Sequence, residues 1–279
     1  MSSPAERNVR AVSDIYTEPT VEWQLRFLGT HLHPGSEEAT TALATRAAHY
    51  GFFEGGLILD LASALGAPAR FLARRFAATV ICIDLSLRMH AALTSAARAE
   101  GLTLRCRPLR ARAEQLPLTT ASFDGAWSQD ALCHMDKPPV LAEVARVLRP
   151  DALFAFTDFI ARPELRSEDA DVLAREWGFP WLPRLSQYVA LLDEYGFEIL
   201  FAEDRTRAVV AQEPEVRPRD QRQWETNFAT HHGEAERQRQ RAMVEAWLTL
   251  LRAERVGYGM FVSRRRGPPA ARKEKGARS

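Results

Sequence analysis

Leu57-Ile58-Leu59-Asp60-Leu61-Ala62-Ser63-Ala64-Leu65-Gly66-Ala67-Pro68-Ala69-Arg70-Phe71-Leu72 decides how this chain is read. Its first four residues are a short apolar run ending in a carboxylate, the pattern of a buried strand. Small residues follow, and then a segment with helical spacing. A strand, a small-residue turn and a helix N-terminus bring backbone N–H groups toward a ligand. Small side chains let that backbone approach closely. The next apolar run, Thr79-Val80-Ile81-Cys82-Ile83-Asp84, is β-rich and again ends in Asp. Asp84 could accept hydrogen bonds from a ribose diol, which is the nucleoside-binding logic of a Rossmann site. Asp60 and Asp84 could equally be strand-end caps with no ligand.

The same alternation continues outward. Pro68 to Phe76 and Leu87 to Glu100 read as helices, the second closed by Gly101 at a C′ position. Leu102–Arg107, Phe123–Ser128 and Leu153–Asp158 read as the third, fourth and fifth strands. Between the last two, Val140 to Leu148 reads as an amphipathic helix stopped by Pro150. Phe197–Ala202 is a sixth strand, and Gly257–Val262 a seventh, antiparallel one. Strands alternating with helices predict an α/β fold, Rossmann-like and doubly wound, with a mostly parallel seven-stranded sheet and helical cap insertions. Ligands in such sheets bind beyond the carboxyl ends of the strands, near the switch in strand order.

Composition narrows the partners. The 279 residues carry a net charge of +1, so no global field draws nucleic acid or membrane. No apolar run is long enough to span a bilayer. Three cysteines without a CxxC do not make a disulfide framework, and the first residues show no signal pattern. The reading is a cytoplasmic protein. Cys133 beside His134 invites a nucleophile or metal role, but no third partner is visible, so no metal is expected.

Residues 57–160 resemble the core of class I S-adenosylmethionine-dependent methyltransferases, and most closely the sarcosine and dimethylglycine N-methyltransferase group. The words that carry the resemblance are Leu59-Asp60-Leu61 with Gly66-Ala67-Pro68-Ala69-Arg70-Phe71-Leu72, Ile83-Asp84-Leu85-Ser86, and Ala113-Glu114-Gln115-Leu116-Pro117. Trp127-Ser128-Gln129-Asp130-Ala131-Leu132-Cys133-His134, then Val140 through Pro150, and Phe156-Thr157-Asp158 complete the set. The resemblance implies S-adenosyl-L-methionine as cofactor and methyl transfer to a small-molecule acceptor. An amine is favoured, with oxygen, sulfur and carbon acceptors open. The loop after Asp60, through Ala62 and Gly66, would hold the methionine part. Asp84 would bind the ribose hydroxyls with Leu85 beside it, and Ala113 and Glu114 would lie beside the adenine. Trp127, Gln129, Asp130 and His134 would line the floor between cofactor and acceptor. His134 and Asp130 are the candidate proton acceptors; Asp130 could instead cap a nearby helix.

The departures from the family pattern are as informative. Ala62, Ala64 and Ala67 stand where the family usually has glycine. Arg112 replaces a carboxylate, and a cation cannot accept a hydrogen bond from the adenine amino group. They motivate a second reading, a methyltransferase-fold protein with a degenerate cofactor loop that acts as a non-methylating enzyme or small-molecule binding protein.

The chain divides into an N-terminal helical cap at 1–50 and a methyltransferase domain at 51–263. Cap insertions fall at 161–190 and 208–256, and a basic tail at 264–279. Ser36 is expected to N-cap a helix in the first region. The tail is too polar to order itself; it is the only support for a nucleic-acid partner. Tyr16, Trp177, Trp181 and Trp224 read as cap-core packing or as an aromatic wall for a cation.

Overall fold

A computed structural model describes residues 16–52, 54–212 and 221–267. Strand β1 (Leu57–Leu61) pairs in parallel with β2 (Thr79–Asp84) on one side and β4 (Phe123–Gln129) on the other. The sheet order is β3-β2-β1-β4-β5-β7-β6, with β3 at Cys106–Arg110, β5 at Leu148–Ala161, β6 at Phe197–Asp204 and β7 at Val256–Arg265. Only β7 runs against its neighbours. The order reverses between β1 and β4, so the crevice beyond their carboxyl ends is where a ligand belongs.

Successive strand residues point to opposite faces, and both faces are buried. Leu59, Leu61, Ile83, Phe154 and Phe156 pack under Val140, Leu141 and Val144 of α5 (Lys137–Val147) and Tyr188 and Leu192 of α7 (Leu185–Glu194). Ile58, Val80, Cys82 and Trp127 pack the other way. They meet Leu43 and Ala47 of α2 (Ser36–His49), Leu72 of α3 (Ala67–Arg75) and Leu93 of α4 (Leu87–Ala99). A third core sits beyond the strand tips. There Phe159, Leu173 of α6 (Ser167–Glu176), Phe179, Trp247 and Leu250 of α10 (Glu234–Arg252), and Tyr258 come together. Helix α1 (Glu18–Leu28) packs through Trp23, whose ring lies 5.0 Å from Trp224 and from Phe228 on α9 (Gln221–His232). A short α8 (Thr206–Gln212) follows β6.

Four local expectations are corrected. The third strand begins at Cys106 rather than Leu102, because Arg105 and Cys106 N–H both turn back to the Leu102 carbonyl. Leu104 is left 80% exposed, and Pro108 is tolerated because β3 is an edge. Helix α5 starts three residues earlier than periodicity suggests, with proline in its first turn where no N–H is needed. Gly35, in a left-handed conformation, takes the N-cap position; Ser36 opens the helix and turns its hydroxyl toward His31 Nδ1 at 3.4 Å. Finally, Arg264 and Arg265 belong to β7, and the Arg265 Nε–H donates to the Ala145 carbonyl at 2.7 Å. The rest of the basic tail beyond residue 267 lies outside the described residues.

Candidate active site

The β1–α3 loop follows a left-handed path through Ala62 (φ 51°), Ala64 (φ 45°) and Gly66 (φ 70°). A residue with a Cβ costs about 1–2 kcal/mol in that region, so the two alanines keep a glycine-type path at a cost in strain. The loop is held down on β2. Ser63 N–H donates to the Ile83 carbonyl at 2.9 Å, and Ala64 N–H to Asp84 Oδ2 at 3.0 Å. Gly66 cannot be replaced so easily. A Cβ there would lie 2.5 Å from Leu93 Cδ1 and Cγ, on top of its positive φ. The one glycine kept at these three left-handed positions is therefore the one required on both counts.

Asp84 also accepts from Ser86 N–H through Oδ1 at 2.8 Å, and Ser86 caps α4. Each carboxylate oxygen keeps a lone pair for a further donor. Asp60, the penultimate residue of β1, is almost wholly buried, and its Oδ2 has no hydrogen-bond partner, nor has the Ser63 hydroxyl. Burial pushes the Asp60 carboxyl well above the usual range, and the charge of Asp84 pushes it further. A buried carboxyl group beside a second carboxylate makes a site suited to a cationic ligand.

Leu85 sits at the rim, 38% exposed, with its carbonyl accepting from Arg110 Nε–H. Ala113 and Glu114 follow β3, whose Arg110 is in register with Asp84, so they stand beyond the same sheet end. Ala113 is buried; Glu114 is half-buried with Arg112 Nε 3.6 Å from its carboxylate. Arg112 is thus drawn to Glu114, and the corner still carries an acidic group.

Gln129, at the end of β4, accepts through Oε1 from Thr40 Oγ1 at 3.0 Å and Trp127 Nε1 at 3.1 Å, while its Nε2 has no partner. Thr40 in turn lies 3.1 Å from His33 Nε2, and burial lowers His33 to about 4. Asp130 does not cap a helix. It has φ 52°, its N–H donates to the Thr157 carbonyl, and its Oδ1 accepts from the Thr157 hydroxyl at 2.8 Å. Tyr258 donates to that same Thr157 oxygen at 2.9 Å. Asp130 Oδ2 is buried without a partner. Burial drives the Asp130 carboxyl up to about 8, against the opposing pull of the Tyr258 and Thr157 hydroxyls.

His134 lies in the short turn after β4 (Leu132–His134), with Nε2 2.9 Å from the Tyr16 hydroxyl and its ring edge-on to Tyr16 and Phe179. Burial lowers His134 to about 4, so it is neutral at physiological pH. The same burial pushes the Tyr16 hydroxyl above the ordinary tyrosine range. Cys133 beside it is buried, with its thiol turned to the Asp130 carbonyl and raised well above the usual range by burial; it is no nucleophile. No group of three potential metal ligands occurs among the described residues.

Asp130 and His134 meet in one cavity of about 220 Å³ beyond the strand tips. Of the four aromatics singled out in the sequence, Tyr16 and Trp177 line it. Trp181 is 43% exposed beneath the Lys137 ammonium, and Trp224 packs against Trp23. Sequence reasoning missed three partners here. Thr157 sat in a quoted word but without a role, Tyr258 lies about a hundred residues from it, and Thr40 carried no motif.

A family profile described as a methyltransferase domain matches residues 59–156. The 27-O-demethylrifamycin SV methyltransferase of Amycolatopsis mediterranei (strain S699) is 33% identical over 189 residues, which span 63% of this chain and 70% of that protein. The chain belongs to the class I S-adenosylmethionine-dependent methyltransferases. A dimethylglycine N-methyltransferase of Parasynechococcus marenigrum (strain WH8102) is 33% identical over 168 residues, in line with the resemblance noted above. The match spans 59% of this chain and 59% of that relative's length. In three dimensions, phosphoethanolamine N-methyltransferase 2 of Haemonchus contortus, in complex with S-adenosyl-L-methionine, superposes with a TM-score of 0.79 at 20% identity, covering 96% of this chain and 61% of that one. That likeness establishes the fold.

Proposed function

We propose that the chain transfers a methyl group from S-adenosyl-L-methionine to a small-molecule acceptor. The observation that carries this reading is the pair Asp60 and Asp84 at adjacent strand tips, one with an unpartnered buried oxygen, under a loop that keeps the glycine path. In this reading Asp60, with the loop through Ala62 and Gly66, holds the ammonium end of the cofactor. Asp84 accepts from the ribose hydroxyls, with Leu85 at the rim and Ala113 and Glu114 toward the base. Gln129 uses its unpartnered Nε2 as a donor at the floor. When bound, the cofactor supplies a sulfonium-activated methyl group. The protein's task is then alignment and exclusion of water.

Asp130 and His134 stand where an acceptor atom enters. His134, neutral and held beside Tyr16, orients the acceptor; Asp130 offers a free oxygen for its proton. An amine is the acceptor favoured by the core motifs, whereas the wall of the cavity adds information that those motifs lack. The non-methylating reading is separated by one experiment. Incubation with methyl-labelled S-adenosyl-L-methionine and a panel of amine, hydroxyl, thiol and carbon acceptors should give label in an acceptor. Bound cofactor with no transfer to any member of a broad panel would favour the alternative. Among the described residues no helix is long and apolar enough to cross a membrane.

A further inference from the structure

The cavity that holds Asp130 and His134 is walled by Trp23, Phe159, Trp177, Phe179 and Trp247, with leucines and valines between them. Its volume of about 220 Å³ of free space is many times that of one water site. A two-carbon amino acid would leave most of this wall uncovered. Apart from Asp130, the charged groups among the described lining residues are Arg241 and Glu245, which pair with each other. Among the described residues lining it, Arg241 is the only arginine or lysine, and it is already engaged. Its Nε–H donates to Glu245 at 3.1 Å, Nη1 lies 3.7 Å from Glu225, and its side chain is 55% exposed. His134 is neutral. Among the described residues a carboxylate or phosphate headgroup would find no buried cation, and burying an unpaired anion is strongly unfavourable. At the floor Asp130 Oδ2 is a carboxylate oxygen without a partner, and in the ionised form that a bound sulfonium favours it is an acceptor. It calls for a donor on the ligand, which an alkene carbon does not provide.

We propose that the acceptor is a neutral, ring-bearing, largely apolar molecule that presents a hydroxyl to Asp130 and is methylated on that oxygen. The inference rests on the methyl-transfer reading above. In the step, the hydroxyl oxygen forms its bond to the methyl carbon as the sulfur–methyl bond breaks. The electron pair of that bond stays on sulfur, leaving a neutral thioether, and the hydroxyl proton passes to Asp130 Oδ2. A sulfonium and a carboxylate are thereby both neutralised, which suits a wall that solvates neither charge well. Until the proton arrives, the positive charge of the sulfonium favours the ionised form of Asp130.

Tryptophan fluorescence tests the class without measuring turnover, since Trp23, Trp177 and Trp247 line the cavity. The full chain is titrated with 2-naphthol, estradiol, 2-naphthyl phosphate and dimethylglycine, with and without S-adenosylhomocysteine. A neutral phenol should bind at least about tenfold more tightly than the phosphate ester, which carries the same ring body and a buried charge, and than dimethylglycine. Leu248→Glu, which adds a carboxylate to the wall, should weaken the phenol by a similar factor and leave S-adenosylhomocysteine binding intact. Equal or tighter binding of the anion or of dimethylglycine overturns the proposal. S-adenosylhomocysteine binding with neither phenol bound overturns the acceptor class alone. Phenol binding without S-adenosylhomocysteine binding overturns the methyl-transfer reading and, with it, O-methylation.

Discussion

Replacing Asp130 by asparagine should stabilise the cofactor-free protein, and by an amount that depends on pH. Burial raises the Asp130 carboxyl from 3.8 to about 8. Below pH 3.8 the group is protonated whether the chain is folded or not, and it carries no penalty. Between 3.8 and 8 the unfolded chain ionises while the folded one holds its proton, so stability is lost by about 1.4 kcal/mol per pH unit. At pH 7 the accumulated loss has a ceiling of about 4 kcal/mol; water at the cavity mouth lowers the true figure. Asparagine removes this term. It retains an oxygen to accept from Thr157. Urea unfolding of both proteins at about pH 4, 5, 6, 7 and 8 is the assay, read as the difference between them so that other titrations cancel. The difference should be smallest at the acid end and grow in favour of the Asp130→Asn protein toward the alkaline end. At a typical slope of about 3 kcal/mol/M, the midpoint should rise by up to about 1 M at neutral pH. A difference that is flat across this range, or that grows in favour of the wild type, would refute the burial argument for Asp130.

Three further perturbations probe the loop and the lid. Gly66→Ala combines a positive φ with a 2.5 Å approach to Leu93, so it should lower stability by at least about 2 kcal/mol, seen as a melting point several degrees lower. Ala64→Gly should relieve about 1–2 kcal/mol of strain but lose about 0.4–1 kcal/mol through a freer unfolded chain. The net is neutral to mildly stabilising by chemical denaturation, and a clear destabilisation would contradict the left-handed path. Tyr16→Phe removes the hydroxyl beside His134 Nε2. It should slow transfer by roughly tenfold if that contact orients the acceptor, with S-adenosylhomocysteine affinity measured by calorimetry unchanged; a loss of cofactor affinity instead would place Tyr16 in the other half of the site.

The fold was readable because the strand signals are local. The apolar run ending in Asp84 closes β2, the run ending in Asp60 makes all but the last residue of β1, and the antiparallel β7 covers the Gly257–Val262 run. Where tertiary context decides, sequence was a poorer guide. Leu102–Arg105 reads as a strand, but Arg105 and Cys106 N–H both return to the Leu102 carbonyl and make a turn of it. At the site, Asp60, Asp84, Gln129, Asp130 and His134 are named by the motif words and fall at or just past one end of the sheet. The roles of Thr157, Tyr258 and Thr40 depend on pairings that no periodicity encodes. The alanines in the loop motivate the reading of a degenerate cofactor loop, and the left-handed φ at Ala62 and Ala64 carries the strain that a side chain brings there. In three dimensions Ala62 and Ala64 adopt the glycine conformation, and Gly66 is kept where Leu93 leaves no room. The cavity wall was the least legible part. Trp23 and Phe27 on α1, Phe159 on β5 and Trp247 on α10 come from segments without a motif, and only packing reveals that they share a surface.

The account stands on a cationic nucleoside ligand seated over Asp60 and Asp84, and titration calorimetry of S-adenosyl-L-methionine into the full chain addresses that directly. One equivalent should bind, and Asp84→Ala, with a melting curve showing that it still folds, should weaken binding at least about tenfold through loss of charge-assisted hydrogen bonds. A folded protein that takes up no S-adenosyl-L-methionine at millimolar concentration, or one whose affinity is indifferent to Asp84, would contradict it.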